Sequence, residues 1–243
     1  MPNHVVNLIS LRGDPKIIRE MLEAIKSDEL GIGSVDFNKI IPMPESLDIE
    51  SGTRTDRGPK VYRDFIEVYT LSGTLDKDLS KIPLSSEEAF LKARTDSNNA
   101  VDPKEWELGK TAWNNIRQYG APTWYDWCIN NWGTKWNAYG YGEDKIDYHD
   151  GDMLYFQTAW SAPHPVLERL TEMFPDVELE HEWADEDIGY NCGRYSYQGG
   201  ERIEEYYPEN EAEAIEFACR VWDYDPAELN LCLNAEGTKY INV

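Results

Sequence analysis

The chain has 243 residues, is 41% hydrophobic and 12% aromatic, and carries a formal net charge of −23. Nine Trp and fifteen Tyr residues exclude a disordered chain, which lacks the apolar surface to offset its ordering entropy. No run reaches the ~18 apolar residues of a membrane span.

The start, Met1-Pro2-Asn3-His4, lacks the basic and apolar regions of a secretory signal. A soluble, cytoplasmic protein is therefore expected. Residues 1–63 hold 9 basic and 10 acidic side chains, residues 64–140 hold 8 and 11, and residues 141–243 hold 6 and 25. Such a C-terminal field repels phosphate backbones, so it disfavours direct nucleic-acid binding and favours a protein partner with a basic surface. Cys128, Cys192, Cys219 and Cys232 form no C-x-x-C pair. They read as thiols of a reducing compartment, with no iron–sulfur cluster and no other cofactor implied.

Val5–Leu11 reads as a mostly apolar strand. Asp14-Pro15 opens a helix over Pro15–Lys26, with Asp as N-cap, Pro in the first turn and an Ile18/Leu22/Ile25 stripe. Val35–Ile41 is predicted as a short strand closed by Pro42 and Pro44. A mostly helical insertion follows at about 45–123. Within it Ser51–Lys60 reads as a loop bearing a basic run, Arg54, Arg57, Lys60 and Arg63. Asp102-Pro103 starts a helix with Glu105 placed for a capping box and Trp106, Trp113 and Ile116 on one face.

Thr123 is placed to cap a helix through Trp124, Trp127 and Cys128 that ends at Gly133. Met153–Trp160 reads as a strand, and Pro165–Phe174 as a helix with a Val166/Leu170/Phe174 stripe. Val177–Trp183 alternates, with Val177, Leu179, His181 and Trp183 inward and Glu178, Glu180 and Glu182 outward. Asp185–Gly189 turns the chain into a partner strand, Tyr190–Tyr197. Asn210 caps a last helix with Glu213 in the capping-box position, and a helical extension is expected over about 208–243. The order predicts an α+β fold: a ferredoxin-like split β-α-β antiparallel sheet with helices on one face and a helical insertion, in a single domain spanning 1–243. The strands Val5–Leu11, Met153–Trp160 and Val177–Trp183 are expected in one sheet, despite their separation in sequence.

Three stretches carry a family resemblance: Asp126–Ala138 (DWCINNWGTKWNA), Phe156–Val166 (FQTAWSAPHPV) and Glu186–Gly200 (EDIGYNCGRYSYQGG). In this order they resemble the YubB-like family of phages, plasmids and integrated elements, whose members have a ferredoxin-like domain. The resemblance is good over residues 120–200 and weak at the N-terminus, where members read Asn-Trp-Cys and this chain reads Asn3-His4-Val5. It implies a mobile-element origin and a cytoplasmic location, and supplies no catalytic residues.

Three candidate sites follow from the residues. Trp124, Trp127, Asn130, Asn131, Trp132, Lys135 and Trp136 would give a ligand groove with rings for stacking and amides for hydrogen bonds; the plainer meaning is a buried helix face. Asp147, His149 and Asp152, with Asp150 between them, offer ligands to a divalent metal, or form a polar turn. Glu178, Glu180, Glu182, Asp185, Glu186 and Asp187 would form an acidic interaction surface. The leading reading is a non-enzymatic accessory protein that binds a host protein through this acidic half, by nucleic-acid mimicry of a basic groove. The alternative is a small-molecule or divalent-metal-dependent enzyme using the Asp147–Asp152 cluster or the Trp124–Trp136 groove.

Overall fold

The computed structural model describes residues 2–69, 84–95, 100–141, 148–149 and 151–242. In chain order its elements are β1 (His4–Arg12), α1 (Pro15–Ile25), α2 (Thr53–Tyr69), α3 (Leu84–Thr95), α4 (Pro103–Tyr119), α5 (Trp124–Trp132), β2 (Leu154–Ala159), α6 (His164–Met173), β3 (Glu178–Asp185), β4 (Cys192–Gln198), β5 (Glu201–Tyr206), α7 (Glu211–Trp222), β6 (Leu231–Leu233) and β7 (Tyr240–Asn242). They fall into two compact units, Met43–Trp127 and the remainder, Met1–Pro42 with Cys128–Val243.

The larger unit is built on a five-stranded antiparallel sheet of order β2-β1-β3-β4-β5. Both β2 and β3 run antiparallel to β1 and flank it, so they are parallel to each other with β1 between them. The β2–α6–β3 segment is thus a split β-α-β unit, the ferredoxin-like feature expected from the sequence. As a central strand, β1 is buried on both faces, with Val5, Val6, Asn7 and Ile9 fully enclosed.

Cross-strand pairing places Asn7, Phe156, His181, Trp183, Tyr195 and Tyr197 on one face. Helix α6 lies over it, where the His164 ring meets those of His181, Trp183 and Tyr195. Val6, Ala184 and Cys192 lie on the other face, packed against Phe217, Ala218 and Val221 of α7. Of these, Val6, Phe217 and Val221 each contribute about 1.5–3 kcal/mol of transfer free energy, and the smaller alanines less. Asn210 caps α7 by accepting from the Glu213 N–H, while the Glu213 carboxylate accepts from the Glu209 N–H. Beyond α7 the chain forms a short 3-10 turn and the β6–β7 hairpin, not further α-helix.

The smaller unit packs α2 against α4 at two glycines. A Cβ on Gly58 would lie 2.7 Å from the Gly109 Cα, so only hydrogens let the two backbones meet. Val61, Tyr62, Phe65 and Trp106 form its core, with Tyr62 and Trp106 ring centroids 5.3 Å apart.

Five local expectations are corrected. Val35–Ile41 is not a strand: the Asp36 carboxylate accepts from the Asn38 N–H and folds Phe37–Lys39 into a 3-10 turn. Ser51–Lys60 is mostly the first part of α2, with Pro59 inside the helix, because Gly58 is needed for the contact with Gly109. Trp160 leaves β2 with φ 74° and is 40% exposed. Ile116 is 39% exposed and so lies off the buried Trp106 face. Thr123 Oγ1 is buried without a partner and caps nothing.

Candidate interaction surface

Where β2 ends, the backbone is held in an unusual conformation. Trp160 has φ 74° and Asn191 φ 40°, values that cost an L-residue about 1–2 kcal/mol. The Trp160 N–H donates to Asn3 O at 2.9 Å, and Asn191 Nδ2 donates to Trp160 O at 3.2 Å. Asp185, 5% exposed, ties the corner together by accepting from Asn3 Nδ2, Asn191 Nδ2 and the Asp187 N–H. The result presents the Trp160 indole at the surface, with Lys135 Nζ 4.8 Å from its centre and 4.6 Å from that of Trp136.

Beneath α6 runs a buried polar network. Asn7 Nδ2 donates to Val5 O and Thr158 Oγ1, which fixes its amide and leaves Oδ1 to accept from His181 Nε2 at 3.0 Å. His181 Nδ1 is then a buried acceptor with no donor. His164 Nδ1 and the Tyr197 hydroxyl are 2.8 Å apart. Burial, and then the charge of Arg202, lower the His164 pKa to about 4. Burial, and then His164, take His181 well below the usual imidazole range. Both rings are therefore neutral at pH 7.

The two sheet edges are treated differently. Along β2 the Ala159 N–H and C=O are both satisfied by Thr134 Oγ1, and Tyr139 exchanges backbone hydrogen bonds with Gln157. Along β5, no backbone group on the outer edge has a partner among the described residues. Gly199 and Gly200, with φ 59° and 86°, make the two-residue turn that brings β5 back beside β4. A bulge at Ile203 then sets Arg202 and Glu205 on the same face, Nη1 to Oε2 3.4 Å. A concavity of about 480 Å³ follows the strand, lined by Glu168 and residues 200–205. Four glutamates line it: Glu168 and Glu205 pair with Arg202, Glu204 pairs with Arg194, and Glu201 has no ion pair among the described residues.

Residues 135–225 match the family model described as a ferredoxin-like domain in Api92-like protein. That span holds β2 to α7, and so contains the corner at Trp160, the histidine pair and the open edge. Among solved structures, the protein api92 from Yersinia pseudotuberculosis is similar at a TM-score of 0.37 and 11% identity, over 85% of this chain and 98% of that one. No curated protein matches.

The residues expected to form sites are redistributed. In the Trp124–Trp136 segment, Trp127 and Trp132 are interior, and Trp132 Nε1 donates to Ile41 O. Trp124 and Asn131 are half-buried, Asn130 is exposed, and only Lys135 and Trp136 join the corner at Trp160. Asp147 and Asp150 lie outside the described residues. The Asp152 carboxylate accepts from the His149 N–H, as a turn cap does. Among the described residues no group of three His, Cys, Asp or Glu side chains is placed to hold a metal ion.

On the expected acidic surface, Glu178 and Glu180 pair with Arg12, and Glu182 forms a two-pronged pair with Arg220. The face that looked outward is the one α7 covers. Asp185 is buried as the acceptor described above, leaving Glu186 and Asp187 of that group in the exposed turn. In the basic run, Arg54 meets Glu50 and Asp102, Arg57 meets Glu105, and Arg63 meets Glu67. The acidic strand β5 was missed. The Gly199-Gly200 pair after an alternating strand was the signal for it.

Proposed function

We propose that this protein is a non-enzymatic binding protein that docks a partner with a basic surface through the acidic region around β5. The observation that carries the proposal is β5 itself: a sheet-edge strand, open on its outer side among the described residues, carrying Glu201, Glu204 and Glu205. The charge supports it, since residues 141–243 hold 25 of the 46 acidic side chains and 6 of the 23 basic ones. Long-range attraction from such a field speeds encounter with a basic surface and repels nucleic acid.

The resemblance of residues 126–200 to the YubB-like family supports a mobile-element accessory role, with a host partner met in the cytoplasm. A nucleic-acid-handling or defence protein is the partner class whose basic groove such a field would fill. No helix among the described residues is long and apolar enough to cross a membrane.

Affinity purification from host lysate at low and moderate salt tests it, alongside the variant Glu168→Lys/Glu201→Lys/Glu204→Lys/Glu205→Lys. The expected result is a basic protein retained at low salt, weakened as salt rises, and lost by the variant. Absence of any basic partner at either salt, or equal capture by the variant, overturns the proposal.

A further inference from the structure

We infer that the outer edge of β5 takes up an extended, lysine- or arginine-bearing segment of the partner as an added strand. This rests on the acidic-surface reading above and specifies how the surface is used. An open sheet edge is a row of unpaired N–H and C=O groups, a template that proteins ordinarily cover or blunt. This chain covers one edge: Thr134 and Tyr139 satisfy β2 at Ala159 and Gln157. The β5 edge receives no such cover among the described residues, and all of Glu201–Glu205 is exposed.

The side chains of β5 decide which strand fits. Gln198, Tyr197, Ser196, Tyr195 and Arg194 of β4 pair with Glu201, Arg202, Glu204, Glu205 and Tyr206, with Ile203 at the bulge. Glu201 and Glu204 lie on the α7 side, and Glu205 lies on the α6 side beside Glu168. A strand added here meets Glu201 and the Arg194-paired Glu204 on one face, and Glu205 and Glu168 sharing Arg202 on the other, so the edge is net negative on both. A second copy of β5 would bring three more glutamates against one arginine, a strand of the same net sign, and like charges close across a strand pair destabilise it. A neutral strand gains only backbone hydrogen bonds. A basic strand gains those and opposite-charge cross-strand pairs as well, so charge selects it. Ile203, 54% exposed, offers an apolar contact beside these charges.

The test uses the full chain and a fluorescein-labelled octapeptide alternating lysine with valine, followed by anisotropy. Its counterpart is N-methylated on alternate backbone nitrogens, which keeps the charge and removes the donors. Binding of the parent peptide, weakened at least about tenfold by N-methylation and at least about tenfold by Glu201→Lys/Glu204→Lys, is the expected outcome. Equal binding of both peptides overturns strand addition and leaves the acidic-surface reading standing. Unchanged binding by the glutamate variant removes the site from β5. Sedimentation of the protein alone as a dimer that Ile203→Pro dissociates would assign the edge to a second copy. Binding of neither peptide, with a basic partner still captured from lysate, overturns strand addition alone; failure of both experiments overturns both proposals.

Discussion

Asn191 Nδ2 donates to the Trp160 carbonyl at 3.2 Å, and both residues hold left-handed backbone conformations. Each conformation is costly alone and is held by the other's neighbours: Asn3 O takes the Trp160 N–H, and Asp185 takes the Asn191 amide. Replacing Asn191 with Ala removes the donor and leaves a Cβ-bearing residue at φ 40°. The expected loss is about 1 kcal/mol for the hydrogen bonds, since Asn already carries a Cβ at this φ. Asn191→Gly loses the same bonds but relieves about 1–2 kcal/mol of backbone cost, so it should melt above Asn191→Ala. Thermal midpoints should fall by about 2–4 °C per kcal/mol in a chain of this size. Equal midpoints for Asn191→Ala and Asn191→Gly would refute the backbone part.

Acid should destabilise the sheet through the histidine pair. Both imidazoles have folded pKa values below the usual 6.5, His164 at about 4 and His181 well below the ordinary range. Below pH 6.5 the unfolded chain therefore binds protons that the folded chain refuses. Stability is full above that pH and falls as the pH drops toward 4, at up to about 1.4 kcal/mol per pH unit for each histidine. His181→Gln keeps an amide donor toward Asn7 and cannot titrate. Denaturant melts of this variant between pH 4 and 6.5 should show a shallower slope than the parent, and an identical slope would remove His181 from the account.

Gly109 sits in α4, where Ala would ordinarily gain about 1 kcal/mol of helix propensity. Here a Cβ would lie 2.6 Å from backbone atoms of Gly58, inside the distance that real side chains reach. Backbone cannot step aside as a side chain can, so overpacking of about 1–3 kcal/mol exceeds the propensity gain. Gly109→Ala should lower the unfolding midpoint, and a raised midpoint would show that α2 and α4 meet differently.

Thiol labelling should separate one cysteine from three. Burial pushes Cys128 up to about 12 and Cys192 up to about 11, and it also raises Cys219. Cys232 is exposed in β6. Since the thiolate is the nucleophile, maleimide on the native protein should modify Cys232 alone, and all four after denaturation. Rapid native labelling at Cys128, Cys192 or Cys219 would contradict the packing.

Elements were legible where one periodicity and one cap acted together. Asp14-Pro15 started α1, Asn210 with Glu213 started α7, and the alternation of Val177 to Trp183 marked β3. The signal failed where tertiary contact supplied the reason. In α2, Gly58 and Pro59 look like breakers, yet the glycine is what lets α4 approach. In β5, five consecutive exposed residues leave no apolar alternation to read. For the expected acidic surface, nothing local to Glu178, Glu180 and Glu182 reports that Arg12 pairs with the first two and that α7 brings Arg220 to the third. Asp185 looked like one more turn carboxylate; its burial comes from Asn3, 182 positions earlier.

The central place of β1 has a consequence for synthesis. Val6 pairs with Gln157 and with Ala184, so β1 waits on the ribosome for about 150 further residues before either neighbour exists. At about 5–20 residues per second that is on the order of ten to thirty seconds, against milliseconds to seconds for folding once the partners are present. The Met43–Trp127 unit, with its core of Val61, Tyr62, Phe65 and Trp106, is made entirely within that interval. Stalled nascent chains cut off near residue 150 should therefore show a protease-resistant helical unit and a β1 that is still cleaved, with protection of β1 appearing only after β3 has left the exit tunnel.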